Sequence, residues 1–120
     1  MSTTTNLFKN VSGGESVAAG TTIFRTGDAA EHLYVVQEGK VEIKVGGGTV
    51  AIVGPGEIFG EMAMIDGSAR SADAVAAEES VVVPVDKKRF DYLITETPFF
   101  ARTVMNVLVE RLRDANSSCT

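Results

Sequence analysis

The sequence predicts a mainly β fold with added α: an antiparallel, jelly-roll-like β-roll of eight short strands, interrupted by one short helix and followed by C-terminal helices. Three observations predict it. Twelve glycines in 120 residues mark frequent turns and hence many short strands. Short β-rich runs recur between residues 15 and 86, each closed by a glycine or a turn pair. After Asp86 the apolar spacing changes from a period of two to a helical one.

Taken in order, residues 16–18 (SVA) and 22–24 (TIF) are short strands separated by Gly20, and Gly27-Asp28 turns the chain. Residues 33–36 (LYVV) form an apolar strand, and Glu38-Gly39 leads into residues 41–45 (VEIKV), which alternate apolar and polar. Gly46-Gly47-Gly48 tips a hairpin whose return strand is residues 50–53. Gly54-Pro55-Gly56 is a further turn, and residues 56–59 finish a strand. Residues 61–65 (EMAMI) have helix-forming character, closed by Asp66-Gly67-Ser68, and Arg70 enters the next strand. Residues 73–77 and 80–85 supply the last two strands. Asp86 caps a helix through Thr95 that buries Phe90, Leu93 and Ile94. Thr97-Pro98 is an N-cap and N1 pair for a final helix through residue 116, with Val104, Leu108 and Leu112 on one side and a basic last turn. Of the two phenylalanines that open it, Phe99 and Phe100, core positions are expected.

The length suits one domain, residues 15–120, behind a flexible N-terminal segment, residues 1–14, anchored by Leu7 and Phe8. No repeat or linker to another domain is visible. The net charge is −5, and the eleven basic residues are scattered, so no footprint for nucleic acid is present. No apolar run approaches the roughly 18 residues that span a bilayer, and the first ten residues lack the pattern of a signal peptide. The chain reads as cytoplasmic. Cys119, the single cysteine, reads as an incidental surface residue, and the glycosylation triplets at Asn10 and Asn116 mean nothing without secretion. One histidine, His32, cannot furnish the metal cluster of a barrel enzyme, so the sequence points to a non-enzyme with no metal and no cofactor.

The chemistry concentrates in GEIFGEMAMIDGSARSA, residues 56–72. Gly60 lets the backbone approach a ligand, and the helix start that follows presents unpaired N–H groups suited to a phosphate. The planar fork of Arg70 can grip two phosphate oxygens, Ser71 adds a hydroxyl, Ala72 a backbone N–H, and Glu61 can accept from a hydroxyl such as that of a ribose. A plain Glu61–Arg70 ion pair stitching the loop explains the same spacing.

With AGTTIFRTGD, LYVVQEGKVEI, GPGEIFGEMAMI and ARSA in this order, the chain resembles the cyclic nucleotide-binding domains of the catabolite activator protein, the protein kinase A regulatory subunits and the cyclic nucleotide-gated channels. The last two blocks resemble that family's phosphate-binding cassette. The resemblance implies that Arg70, Ser71 and Ala72 hold the cyclic phosphate and that Glu61 with the Gly60 backbone holds the ribose 2′-hydroxyl. Phe59 and Met62 would form the hydrophobic hinge, with Ala63 beside them in the cassette. The last helix would be a lid whose movement signals, with Arg111 placed to stack on the base. Arg111 read as a helix-end cation is equally open.

Cyclic AMP is expected in preference to cyclic GMP, although Ser71 keeps a hydroxyl where some cyclic-GMP-selective relatives carry threonine. The usual helical segment before the roll and the helix-turn-helix of family transcription factors are not seen. The protein partner is therefore open, and Ala101, Met105, Leu108 and Leu112 suggest a weak homodimer through the last helix. A ligand-independent interaction module is the alternative.

Overall fold

Alternation along the strands divides the core into two. In the computed structural model, which describes residues 14–118 with side chains to Arg113, Leu33 and Val35 of β3 (His32–Glu38) face one apolar cluster and Val36 faces the other. Strand β8 (Ser80–Asp86) does the same with Val83 and Val85 against Val82. A one-residue slip would exchange the two faces, so this pattern fixes the β3–β8 register, in which Val35 stands opposite Val83.

The remaining strands are β1 (Glu15–Val17), β2 (Thr22–Phe24), β4 (Val41–Val45), β5 (Gly48–Val53), β6 (Ile58–Phe59) and β7 (Asp73–Ala76). They form two antiparallel four-stranded sheets, ordered β1-β8-β3-β6 and β2-β7-β4-β5. Val36, Val41, Val53, Phe59, Ala74 and Val82 fill the space between them. At Gly39 the chain turns with φ +88, and an added Cβ would lie 2.2 Å from the Ser80 hydroxyl oxygen, so only glycine fits.

The helices are α1 (Glu61–Asp66), α2 (Lys87–Glu96) and α3 (Pro98–Ser118). Asp86 caps α2 as expected, its carboxylate accepting from the Arg89 N–H at 2.8 Å. Phe90 and Leu93 of α2, with Phe100 and Val104 of α3, close the second cluster over Leu33, Val35, Ile58, Met64, Val83 and Val85. No helix among the described residues is long and apolar enough to cross a membrane.

Several boundaries differ from the sequence reading. Strand β7 begins at Asp73, so Arg70 lies in the connection before it rather than in a strand. Helix α3 continues to Ser118, which leaves no basic residue in its last turn and removes the helix-end role for Arg111. Leu112 is exposed while Val104 is buried, and Phe99 is exposed while Phe100 is buried. For Leu112 and Phe99 the reason is that α3 presents to the core only the narrow face that can reach it. Residues 1–13, including Leu7, Phe8 and Asn10, lie outside the described residues, as do Cys119 and the Asn116 side chain.

Candidate functional site

Helix α1 begins at Gly60, whose φ of 78 is left-handed and which leaves the first turn without a side-chain cap. A Cβ on Gly60 would meet Arg70 Nη1 at 2.6 Å. The glycine is therefore required for the close approach of the guanidinium, a reason more specific than general room for a ligand. At the other end the Gly67 N–H bonds to the Ala63 carbonyl at 2.9 Å and ends the helix.

Arg70 is held from several sides. Its Nη1 donates to the Gly60 carbonyl at 2.7 Å and its Nη2 to the His32 carbonyl. Its own backbone is clamped by the β2–β3 turn: Gly27 N–H donates to the Arg70 carbonyl at 2.8 Å, and Arg70 N–H donates to the Asp28 carbonyl at 2.9 Å. That turn is anchored by Asp73, whose Oδ1 accepts from the Thr26 N–H at 2.7 Å and the Thr26 hydroxyl at 3.0 Å. These bonds hold the Asp73 carboxyl below its ordinary pKa. Arg70 is only 5% exposed. Burial pulls its pKa down, against the charges of Tyr34, Asp28 and Glu61.

Glu61 is fully buried. Its Oε1 accepts from Arg111 Nη1, and Arg111 Nη2 reaches the Ile58 carbonyl at 3.3 Å. The carboxylate thus pairs with Arg111, fifty residues away, and among the described residues no Glu61–Arg70 ion pair forms. Two buried atoms have no hydrogen-bond partner among the described residues: Glu61 Oε2 and Arg70 Nε.

A cavity of about 360 Å³ lies between the β4–β5 hairpin and α1, within the roughly 300–1,000 Å³ usual for small-molecule sites. Gly60, Met62, Ala63, Arg70, Ser71, Ala72 and Arg111 line it, and Phe24, Ile43, Val45, Val50 and Ala51 make an apolar wall. Most residues singled out in the sequence therefore converge on one cavity. Two stand behind its wall: Glu61, under Arg111, and Phe59, fully buried and stacked on Tyr34 with centroids 5.2 Å apart. The sequence reading placed the Gly27-Asp28 turn but did not connect it to the site, and it missed Phe24 and the His32 carbonyl as site groups. Backbone carbonyls leave no signal in residue types, while the aromatic immediately before the turn in TIFRTGD could have been noticed.

Residues 14–97 match the cyclic nucleotide-binding domain family. The chain belongs to that family. Among its curated relatives, the cyclic AMP receptor protein of Thermus thermophilus is 39% identical over 102 residues, covering 81% of this chain and 47% of the relative. The crystal structure of the Thermus thermophilus catabolite activator protein superposes with a TM-score of 0.77 at 36% identity, over 88% of this chain and 52% of that one. A structure described for a cyclic-GMP-dependent signalling pathway that regulates bacterial phytopathogenesis gives a TM-score of 0.73 at 26% identity, over 83% and 84%. The chain spans about half or less of the length of the first curated relatives it matches. The two-sheet roll with its helices is the fold of this family of cyclic nucleotide-binding domains.

Proposed function

We propose that this domain is a sensor that binds cyclic AMP in preference to cyclic GMP and signals by moving α3. One observation carries the reading: the same cassette holds a buried cation and a buried carboxylate, each with a polar atom left unpaired. Burying such atoms unpaired costs about 1–3 kcal/mol each. A cyclic phosphate accepting from Arg70 Nε and a ribose 2′-hydroxyl donating to Glu61 Oε2 would remove both costs. Ser71 and Ala72 would add donors to the phosphate, and the apolar wall would receive the base. Arg111 would sit over the base side of the cavity, with Phe59 and Met62 at the root of α1 as the hinge.

Because Glu61 is covered, a ribose hydroxyl reaches it only when Arg111 and α3 give way. Affinity then depends on the position of α3, and the ligand must shift that position. The likeness to a Thermus protein named for cyclic AMP supports that nucleotide. The likeness to a protein of a cyclic-GMP-dependent pathway keeps cyclic GMP as the competitor to test. A regulatory role without catalysis, in the cytoplasm, accords with relatives named as a receptor protein and a kinase regulatory subunit.

The test is calorimetric titration with each nucleotide, on protein unfolded and refolded to strip any ligand carried through purification. Binding near one per chain, tighter for cyclic AMP, is expected. One observation favours the second reading, a ligand-independent interaction module: Arg70 and Glu61 already have partners within the chain. No heat and no thermal stabilisation with either nucleotide would transfer the function to that reading.

A weak pairing of two copies through α3 belongs to the same proposal. Of the four residues that suggested it, Met105 and Leu112 are exposed, whereas Ala101 is partly buried and Leu108 packs against the core; exposed Val109 lies between Met105 and Leu112 at helical spacing. Sedimentation from micromolar to millimolar protein reads this association. A single species throughout would remove it.

A further inference from the structure

Arg70 must present its free donors in one direction, yet an arginine side chain has several rotatable bonds and is costly to order. Two of its five N–H groups are committed to the Gly60 and His32 carbonyls. Carbonyls at the guanidinium edge fix its position in the plane but do not stop it tilting out of that plane. Phe24 lies beneath the group: Arg70 Cζ stands over that ring, 4.0 Å from its centroid. Phe24 is itself supported, with its centroid 5.9 Å from Phe59 and 6.1 Å from Tyr34, and those two rings stack on each other. Gly60 completes the arrangement from the side, since a Cβ there would lie 3.3 Å from Phe24 Cε2 as well as 2.6 Å from Arg70 Nη1.

We propose that Phe24 is a positioning residue for anion binding, an aromatic shelf that keeps Arg70 ordered and partly desolvated before the ligand arrives. This rests on the reading of the cavity as a cyclic nucleotide site. The shelf acts in two ways. The ring face attracts the cation, most strongly where water is excluded. It also removes the ordering cost that a mobile arginine would impose at the moment of binding. An aliphatic side chain fills similar space but offers no negative ring face.

The experiment uses the full chain with Phe24→Leu, Phe24→Met and Phe24→Tyr. In the ligand-free wild type, the Arg70 Nε–Hε resonance, identified by its loss in Arg70→Lys, should be shifted by the aromatic ring and protected from exchange. Phe24→Tyr should keep both properties, and Phe24→Leu should lose both. In titrations with cyclic AMP, Phe24→Leu should bind about three- to tenfold more weakly, while Phe24→Tyr stays within about twofold of wild type. Phe24→Met, aliphatic and adaptable in shape, should behave like the leucine variant and replaces it if that protein does not fold.

Wild-type exchange protection of the Arg70 Nε–Hε in the aliphatic variants, or wild-type affinity in them, overturns the proposal. A ring serving only as cavity wall would weaken binding and remove the ring-induced shift yet leave the ligand-free exchange protection of Arg70 unchanged, so that result overturns it too. If the wild type binds neither nucleotide, the cavity reading fails, and the ligand-free resonance still decides whether Phe24 orders Arg70.

Discussion

At the scale of single residues, Arg70 gathers more constraints than any neighbour in the cavity: two carbonyls on its guanidinium, a ring beneath it and a turn on its backbone. Arg70→Ala should weaken cyclic AMP binding by about 3 kcal/mol, more than a hundredfold, because a largely desolvated phosphate loses charged hydrogen bonds. Arg70→Lys should recover only part of this, since an ammonium keeps the charge but lacks the planar fork. Calorimetry on both variants, with thermal unfolding as a control for the carbonyls left behind, checks the order. Equal affinity in the alanine variant would place the phosphate elsewhere. Arg70 and Glu61 were legible in the sequence because their types and spacing state what chemistry they can do. Their partners were not. The Glu61–Arg111 contact joins residues fifty positions apart, which only the fold brings together.

At the scale of elements, the strand and helix order was legible because glycine turns and the change of period are local signals. The ends of elements were not, since they are settled by packing. Arg70 falls just outside β7, and the β2–β3 turn holds it there as a strand neighbour would. This brace has a testable dependence on pH. The Thr26 N–H and hydroxyl favour the charged form of Asp73, so its pKa in the folded chain lies below the ordinary 3.8. A carboxyl depressed in this way contributes fully above its unfolded pKa, and the contribution is lost as pH falls through the folded value. Asp73→Ala should therefore lower the melting temperature most at neutral pH. The gap to wild type should narrow below pH 3.8 and close once Asp73 itself is protonated. Thermal unfolding across an acid pH series reads this. A gap that stays constant would mean that the carboxylate charge does not support the turn.

At the scale of the whole molecule, α3 is attached in two different ways. Phe100 and Val104 are buried in the core beside α2, an apolar attachment that fixes the first half of the helix. Beyond Val107 and Leu108, which are only partly buried, the contact seen among the described side chains is polar, through Arg111 to Glu61 and the Ile58 carbonyl. Apolar packing is lost only by moving the helix bodily, whereas an ion pair can be exchanged for another polar partner in the same place. A nucleotide that engages Glu61 should therefore change the second half of α3 and leave its root on α2 unmoved. Arg111→Met tests both sides of this argument. It leaves the fully buried Glu61 carboxylate without its cation. The loss of stability should be about 1–3 kcal/mol, below the full cost of breaking a buried pair because the Arg111 side chain is 30% exposed. Adding Glu61→Gln to the same chain should restore part of that loss. Hydrogen exchange supplies the functional half of the test. Cyclic AMP should alter protection in the wild type beyond Val107 and not across α2, and Arg111→Met should reduce that response while binding persists. A wild type that binds the nucleotide with α3 unchanged would break the link between the pocket and its signal. A response confined to the part of α3 held by Arg111 would instead make one ion pair the mechanical connection between them.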